Sequence, residues 1–316
     1  MTEPYVRPDV RAFLDGLEAQ PRPIFNDELI RMVRQMPPDM MASSDLPVGE
    51  LGEVRDVAMP GPGGEIALRL FDPRKERGPG PVVVFYHGGG FIVGSIDTHA
   101  GLAAEIARHL DLPVISVEYR LAPENPWPAA TDDGEAAARW IAENGAAFGR
   151  EFTSLVLTGD SAGGTVTLVT AAALRDRPAA LPLVMQMPIY PVADLSKTYP
   201  SGEVFADGYG LESRSMAYYG EAYRADVTDR RASPLLDDLA GLPPTLLCTA
   251  ALDPLRDQGR AYAAAVIAAG GQLTYREFQG TIHGFCTYRA GIPSARADLA
   301  VLLELAAAML EEIGAR

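Results

Sequence analysis

The chain has 316 residues, and its 47% hydrophobic content is typical of a folded globular protein. It carries 27 Lys and Arg against 42 Asp and Glu, a formal net charge of −15 that disfavours binding to nucleic acids and to anionic membrane surfaces. Its two cysteines, Cys248 and Cys286, cannot form a disulfide framework and lack the spacing of zinc ligands. We interpret them as buried, small apolar residues.

The N-terminal sequence and the hydropathy pattern bear on where the protein resides. Residues 1–10 have neither the basic region nor the apolar core of a signal peptide. No run of about 18 uninterrupted apolar residues predicts a transmembrane helix. We therefore expect a cytoplasmic protein with no membrane insertion.

The first 50 residues are rich in proline and predict two short helices, at about 9–18 and 27–35. Two strands, at about 53–59 and 66–71, should then flank a glycine-rich turn. Residues 81–86 form a continuous apolar run, which favours a strand buried on both faces, as in a parallel sheet.

Strands and helices alternate over the rest of the chain. Strands are predicted at about 113–119, 155–158, 183–189, 245–250 and 273–278, and helices at about 101–110, 131–144, 165–175, 257–269 and 294–313, the last capped by Ser294. This alternation predicts an α/β fold with a mostly parallel central sheet flanked by helices.

Residues 190–231 interrupt the alternation, because a segment of that length is too long for an ordinary connection. It contains a predicted helix at about 213–222 and favours a lid or binding segment. We expect a segment over residues 1–50, a main domain over 51–316, and within it a second, lid-like segment at about 190–230.

The strongest local motif is Gly-Asp-Ser-Ala-Gly-Gly at residues 159–164, between a predicted strand and a predicted helix. It matches the G-x-S-x-G elbow, in which glycines leave room for a sharp turn that exposes the serine. Ser161 is thus a candidate nucleophile, and the N–H of Ala162, at a helix N-terminus, could stabilise negative charge. A similar Gly-Asp-Ser-Gly-Gly motif is typical of chymotrypsin-like proteases, but those are all-β proteins.

Residues 87–90, His-Gly-Gly-Gly, follow the buried strand and form the second motif. Consecutive glycines let a backbone approach a ligand and direct N–H groups at it, so this loop could supply donors for an oxyanion. The alternative, a phosphate-binding loop, lacks the expected Lys-Ser/Thr ending and the glycine spacing.

A serine nucleophile needs a base, and the chain contains four histidines. We interpret His87 as a residue that orients the glycine loop, His99 as a cap or solvated residue, and His109 as a helix-end residue. His283 follows the last predicted strand, at the carboxyl edge of the sheet where ligands bind in such folds, and is our candidate base.

The acid that orients this base should lie between Ser161 and His283. Asp253 directly follows a predicted strand and precedes a proline, whereas Asp257 is better explained as a helix N-terminal residue. We favour Asp253 and keep Asp257 as the alternative. The order Ser161, Asp253, His283 is that of α/β-hydrolases.

These motifs together resemble the bacterial esterases related to hormone-sensitive lipase, within the α/β-hydrolase superfamily. The resemblance runs from about residue 80 to 285 and rests on the residues at 87–91, 118–124, 159–164, 253–257 and 283–285. It implies an α/β-hydrolase fold in which residues 1–50 and 190–230 form a cap. It also implies ester hydrolysis by a Ser161–His283–Asp253 triad without a metal or organic cofactor.

The same resemblance implies oxyanion donors at Gly89, Gly90 and Ala162, with Gly88 supporting them. The implied substrates are small esters with short- to medium-length acyl chains, and the resemblance is compatible with a homodimer. The net charge of −15 favours neutral esters over anionic ones. Amide or carbamate hydrolysis by the same triad stays open as an alternative, as does a non-catalytic receptor. Such receptors lack the catalytic histidine, whereas His283 is present here.

Overall fold

The computed structural model describes residues 4–20 and 25–315. The strands are β1 (Glu53–Gly61), β2 (Gly64–Asp72), β3 (Gly80–Tyr86), β4 (Val114–Val117), β5 (Phe152–Asp160), β6 (Leu183–Ile189), β7 (Thr245–Leu252) and β8 (Leu273–Ile282). The helices are α1 (Pro8–Glu18), α2 (Asp27–Gln35), α3 (Pro38–Met41), α4 (Ala100–Leu110), α5 (Ala129–Glu143), α6 (Ala162–Asp176), α7 (Pro200–Val204), α8 (Ser213–Tyr223), α9 (Arg256–Ala268) and α10 (Ser294–Glu312). Short 3₁₀ helices lie at Gly145–Phe148, Pro234–Leu236 and Phe285–Thr287.

All eight strands belong to one sheet with the order β1-β2-β4-β3-β5-β6-β7-β8. The β1–β2 and β2–β4 pairs are antiparallel, and every pair from β4 to β8 is parallel. The hairpin between β1 and β2 closes at Gly61 and Gly64, where the sequence predicts a turn. The predicted α/β fold with a mostly parallel sheet is confirmed.

Strand β3 shows why the sheet is covered on both sides. Val82 and Val84 pack into the hydrophobic cluster on one face, whereas Val83 and Phe85 pack into the cluster on the other. All four side chains are inaccessible to solvent. Because successive side chains of a strand point to opposite faces, a continuous apolar run is stable only when helices cover both faces.

The last helix begins differently from the prediction. Ser294 is its first helical residue and makes no side-chain cap, so its assignment as the N-cap is wrong. Asp9 of α1 instead accepts the Ser294 N–H at 2.7 Å and the Ser294 hydroxyl at 3.2 Å. A carboxylate from the N-terminal helix thus satisfies a free N–H at the start of α10, which ties the two ends of the chain together.

The N-terminal segment and the 190–231 segment contact each other. Tyr218 of α8 donates its hydroxyl to Asp27 of α2 at 2.8 Å, and the ring of Phe25 packs edge-on against Tyr219. Arg34 of α2 donates to the backbone oxygen of Ile92 at 2.7 Å, just beyond the glycine loop. These contacts place both segments beside the carboxyl ends of the strands.

Within the described residues, no helix has the length and hydrophobicity to cross a bilayer.

A buried ion pair joins the end of the N-terminal segment to the main domain. Arg289 donates to Asp45 at 2.6 and 2.9 Å, and both side chains are 2% exposed. Replacing Asp45 by alanine would leave the buried guanidinium with the longer contact to Glu105, at 3.9 Å, and breaking a buried ion pair typically costs about 3–5 kcal/mol. We expect Asp45→Ala to lower the free energy of unfolding by that amount in urea titrations. The exposed Asp56, paired with Arg69, gives the control Asp56→Ala, with an expected cost of about 0–1 kcal/mol; equal losses in the two variants would contradict this expectation.

Candidate active site

Ser161 occupies a sharp turn between strand β5 and helix α6. Its backbone has φ 54° and ψ −117°, a conformation that L-residues with side chains rarely adopt. Such strain costs about 1–3 kcal/mol and is concentrated at functional sites. The turn is the elbow that the sequence motif predicts.

The glycines of the motif are required by close backbone packing. A Cβ atom at Gly159 would lie 2.5 Å from the carbonyl oxygens of both Gly163 and Tyr86. A Cβ atom at Gly163 would lie 1.9 Å from the Tyr86 oxygen. Because these neighbours are backbone atoms of the sheet and of the elbow itself, no side chain fits at either position without moving the turn.

Three side chains from different parts of the chain form one line of hydrogen bonds. His283 Nε2 lies 2.8 Å from Ser161 Oγ, and His283 Nδ1 lies 2.8 Å from Asp253 Oδ2. Asp253 is fully buried, and its Oδ1 accepts the N–H of Leu255 at 2.7 Å. A proton on Nδ1, shared with Asp253, leaves the lone pair of Nε2 facing the serine hydroxyl.

Asp257, the alternative acid, lies outside this line. Its Oδ1 pairs with Arg256 at 2.8 Å and with Arg260 at 3.1 Å, and its Oδ2 accepts the N–H of Ser201 at 2.9 Å. It is the second residue of α9, as its assignment as a helix N-terminal residue predicts. The geometry therefore favours Asp253 over Asp257 as the partner of His283.

The glycine loop lies against the elbow. Gly88 donates its N–H to Asp160 Oδ1 at 2.9 Å. Gly89 and Gly90 have φ values of 119° and 62°, and a Cβ atom at Gly89 would lie 2.1 Å from a backbone oxygen. Among the turn, loop and cap hydrogen bonds between backbone groups of the described residues, none has the N–H of Gly89, Gly90 or Ala162 as its donor. These donors are therefore free to bind a ligand.

Two of the other histidines contact this loop. His87 is fully buried, stacks on Tyr119 with ring centroids 4.2 Å apart, and donates from Nδ1 to the Gly88 oxygen at 2.8 Å. Burial lowers the pKa of His87 to about 3, so its ring is neutral, in keeping with the predicted orienting role.

His99 lies at the N-cap position of α4, but the interpretation of its side chain as a cap or a solvated group is wrong. Its side chain is 11% exposed and makes no cap, and its Nε2 lies 3.5 Å from Asp160 Oδ1. Both residues line a cavity that reaches Ser161. The sequence carries no local signal for this contact, because 61 residues separate the two side chains.

Comparison with known proteins identifies the family to which the chain belongs. A family model described as the alpha/beta hydrolase fold matches residues 83–287, which include the glycine loop, the elbow and His283. The chain belongs to the α/β-hydrolase family. The predicted resemblance to esterases of this family is therefore confirmed.

Two curated relatives and one solved structure illustrate the similarity. Esterase LipI of Mycobacterium tuberculosis is 36% identical over 289 residues, covering 89% of each chain. An arylesterase of Saccharolobus solfataricus is 32% identical, covering 97% of this chain and 98% of its own. The structure of ester-hydrolase EH1AB1 from the metagenome of Lake Arreo has a TM-score of 0.89 and 37% identity, covering 97% and 99% of the two chains.

In this α/β-hydrolase, two cavities meet at Ser161. The smaller, of about 120 Å³, is lined mostly by apolar side chains such as Val192, Met216 and Leu255. The larger, of about 270 Å³, is lined by more polar groups, including His283 and Asp160. Gly90, Ser161, Leu211 and Tyr219 line both.

The cysteines of this α/β-hydrolase are both free and fully buried. Burial raises the pKa of Cys248 to about 12 and also raises that of Cys286, so both side chains are protonated thiols near neutral pH. They belong to the main hydrophobic cluster, as their interpretation as small apolar residues predicts.

Proposed function

We propose that the protein is a serine carboxylesterase that hydrolyses neutral esters with short- to medium-length acyl chains through Ser161, His283 and Asp253. The observation that carries the proposal is the continuous line of hydrogen bonds from Ser161 Oγ through His283 to Asp253, each 2.8 Å long. The ester class is supported by relatives whose names include esterase and carboxylic ester hydrolase.

Acylation begins when Ser161 Oγ attacks the ester carbonyl carbon while His283 Nε2 takes the hydroxyl proton. The carbonyl π pair moves to the oxygen, and a tetrahedral oxyanion forms. The carboxylate of Asp253 stabilises the resulting imidazolium, and its contact with Leu255 keeps that carboxylate in place. His283 then returns the proton to the alcohol oxygen as the carbon–oxygen bond breaks, which leaves an acyl-enzyme.

The oxyanion needs donors that are fixed before the reaction. The N–H groups of Gly89, Gly90 and Ala162 meet this need. In the described part of the chain, none of them donates a turn, loop or cap hydrogen bond to a backbone oxygen. Ala162 also lies at the N-terminus of α6, where the helix dipole favours negative charge. Hydrolysis is completed when water, deprotonated by His283, attacks the acyl carbon and Ser161 leaves with the proton.

The position of His283 assigns the two cavities to the two halves of an ester. Because His283 must protonate the leaving oxygen, the alcohol lies on its side, in the larger cavity that His283 lines. The acyl chain then enters the smaller, apolar cavity of about 120 Å³. An engineered cavity of about 150 Å³ holds one benzene molecule, so the acyl cavity should accept about four or five carbons.

Tyr219 is expected to limit the acyl length, because its ring packs on Gly90 and lies between the cavities. We predict that Tyr219→Ala joins the two cavities and moves the preferred substrate from the butyrate or valerate ester to the octanoate ester or longer. The measurement is kcat/KM across a series of p-nitrophenyl esters from acetate to decanoate. The neighbouring Tyr218 lines neither cavity, so Tyr218→Ala serves as the control and should keep the wild-type preference; an unchanged preference in Tyr219→Ala would contradict the assignment.

We also propose that residues 1–50 and 190–230 act as a cap on the catalytic domain, 51–316. Support comes from side chains of both segments around the larger cavity, namely Phe25 and Met41 from the first and Tyr219 from the second. Phe205 of the second segment lines neither cavity, since it is buried in the hydrophobic core against Tyr209.

Paired substrates test the reaction class. We expect rapid hydrolysis of p-nitrophenyl butyrate and a rate at least about 10³-fold lower for the matching p-nitroanilide, because the amide leaving group is poorer and needs stronger protonation. Comparable rates on the two substrates would favour the amide hydrolase alternative, and no turnover of either would contradict the proposed function.

A further inference from the structure

The backbone of Gly88 is held from two sides. Its N–H donates to Asp160 Oδ1 at 2.9 Å, and its carbonyl oxygen accepts from His87 Nδ1 at 2.8 Å. A Cβ atom at position 88 would lie 2.4 Å from Asp160 Oδ2, so the loop packs directly against that carboxylate. The position of the glycine loop therefore depends on how Asp160 is held.

Asp160 is the last residue of β5, directly before Ser161, and is only 3% exposed. A buried carboxylate is costly unless it is paired and hydrogen-bonded. His99, when protonated, is a cationic partner for it, since its Nε2 lies 3.5 Å from Asp160 Oδ1. His99 directly precedes α4, so the pair connects the elbow to the helix that follows the glycine loop.

The hydrogen bonds around His99 orient its ring so that Nε2 faces Asp160. Its Nδ1 lies 2.9 Å from Thr98 Oγ1, and the Thr98 hydroxyl donates its own proton to the Ser95 oxygen at 3.1 Å. Thr98 Oγ1 therefore accepts a hydrogen bond from the Nδ1–H of His99, while Nε2 faces Asp160. The Gly88 N–H lies 2.9 Å from Asp160 Oδ1 and 3.3 Å from His99 Nε2, so its shorter contact is with the carboxylate; when Nε2 carries a proton, Asp160 is the acceptor that remains.

The charges around His99 and Asp160 favour the protonated histidine and the ionised carboxylate. Burial lowers the pKa of His99, but the carboxylate of Asp160 outweighs this effect, with a smaller contribution from Asp45, and the pKa lies above its ordinary value. Burial likewise raises the pKa of Asp160, but His99 opposes it and the pKa lies below its ordinary value. Glu118 and the neutral His87 also interact electrostatically with His99.

We infer that His99 and Asp160 form a second, charged His–Asp pair that positions the glycine loop, so that both are positioning residues for the reaction carried out by the triad. The inference rests on the proposed function, because the loop matters through its oxyanion donors. Through Gly88, the pair sets where the N–H groups of Gly89 and Gly90 point, which affects the transition state more than the bound ester.

Three variants test the pair: His99→Gln, Asp160→Asn and the double variant. Each single change keeps a polar side chain of similar size but removes the charge. Removal of one oxyanion donor typically costs about 10²–10³ in rate, so a displaced loop should lower kcat on p-nitrophenyl butyrate about 10- to 100-fold, with KM changed less than about threefold. Because both changes break one pair, the double variant should be at most about threefold slower than the slower single variant.

Asp97→Asn is the matched control, because Asp97 lies two residues before His99, is half exposed and pairs with Arg69. It should keep the wild-type kcat. Three results would overturn the inference: wild-type kcat in folded His99→Gln and Asp160→Asn proteins, a lowered Tm with unchanged kcat, or losses that multiply in the double variant.

A separate readout keeps this test independent of the proposed function. The oxygen of a neutral fluorophosphonate needs the same N–H donors when Ser161 attacks the phosphorus. Labelling of Ser161 should therefore slow in the two single variants by a factor similar to the loss of kcat. If the wild-type protein hydrolyses no ester, the proposed function fails, and the labelling rates still decide on the pair: equal rates in wild type and variants would overturn it.

Discussion

A Ser161→Ala protein is expected to fold normally and to have its kcat for ester hydrolysis lowered about 10⁶-fold, the order seen when the serine of another triad is removed. The loss follows from the geometry, since Ser161 Oγ is the atom that His283 Nε2 faces at 2.8 Å. Without it, the acyl-enzyme cannot form. Stability should change little, because an alanine leaves the backbone of the elbow and its glycine contacts as they are.

The measurement is kcat on p-nitrophenyl butyrate together with a thermal unfolding curve. Ser196 lies outside the site and hydrogen-bonds to Asp194, so Ser196→Ala is a control for the loss of a serine hydroxyl. The control should keep its activity within about threefold of the wild type. Near-full activity in Ser161→Ala would contradict the assignment of the nucleophile.

Asp253→Asn is expected to lower kcat by about 10³- to 10⁴-fold, as the same change does in another triad. Leu255 explains why the effect should be large. Its N–H would hold the oxygen of the introduced asparagine, as it now holds Asp253 Oδ1, so the amide NH₂ group would face His283 Nδ1. The imidazole would then carry its proton on Nε2 and could not accept the proton of Ser161.

Asp257→Asn is the matched comparison, because it makes the same chemical change four residues away. Asp257 contacts Arg256, Arg260 and the Ser201 backbone but does not reach the histidine. We expect its kcat to stay within about threefold of the wild type, with a modest fall in Tm. The reverse pattern, with activity lost in Asp257→Asn and kept in Asp253→Asn, would move the acid to Asp257.

The features that were predicted correctly depend on local sequence. The elbow follows from glycines at 159 and 163, because the close backbone contacts there exclude any side chain. The sheet follows from apolar runs such as that of β3, which only a two-sided core can cover. The proximity of His283 and Asp253 follows from their places after strands β8 and β7, since the carboxyl ends of parallel strands meet at one edge, whereas their roles in catalysis stay a prediction.

The features that were missed depend on contacts between distant parts of the chain. The Asp160–His99 and Asp45–Arg289 pairs join residues 61 and 244 positions apart, and the sequence gives no periodicity that would relate them. Ser294 was assigned as the N-cap of α10 because serine is common at that position. Asp9, from the other end of the chain, instead accepts the free N–H at the start of the helix. Buried polar partners of this kind are decided by tertiary packing.

The most direct test of the central claim, that Ser161 is the activated nucleophile of a triad, is labelling of the native protein with a fluorophosphonate. Ser161 Oγ would form a bond to phosphorus, fluoride would leave, and the hydroxyl proton would pass to His283. We predict one adduct per chain, located by peptide mass spectrometry on Ser161, formed in step with the loss of esterase activity and much more slowly in Asp253→Asn. Absence of labelling, or an adduct on another residue while activity is lost, would contradict the claim.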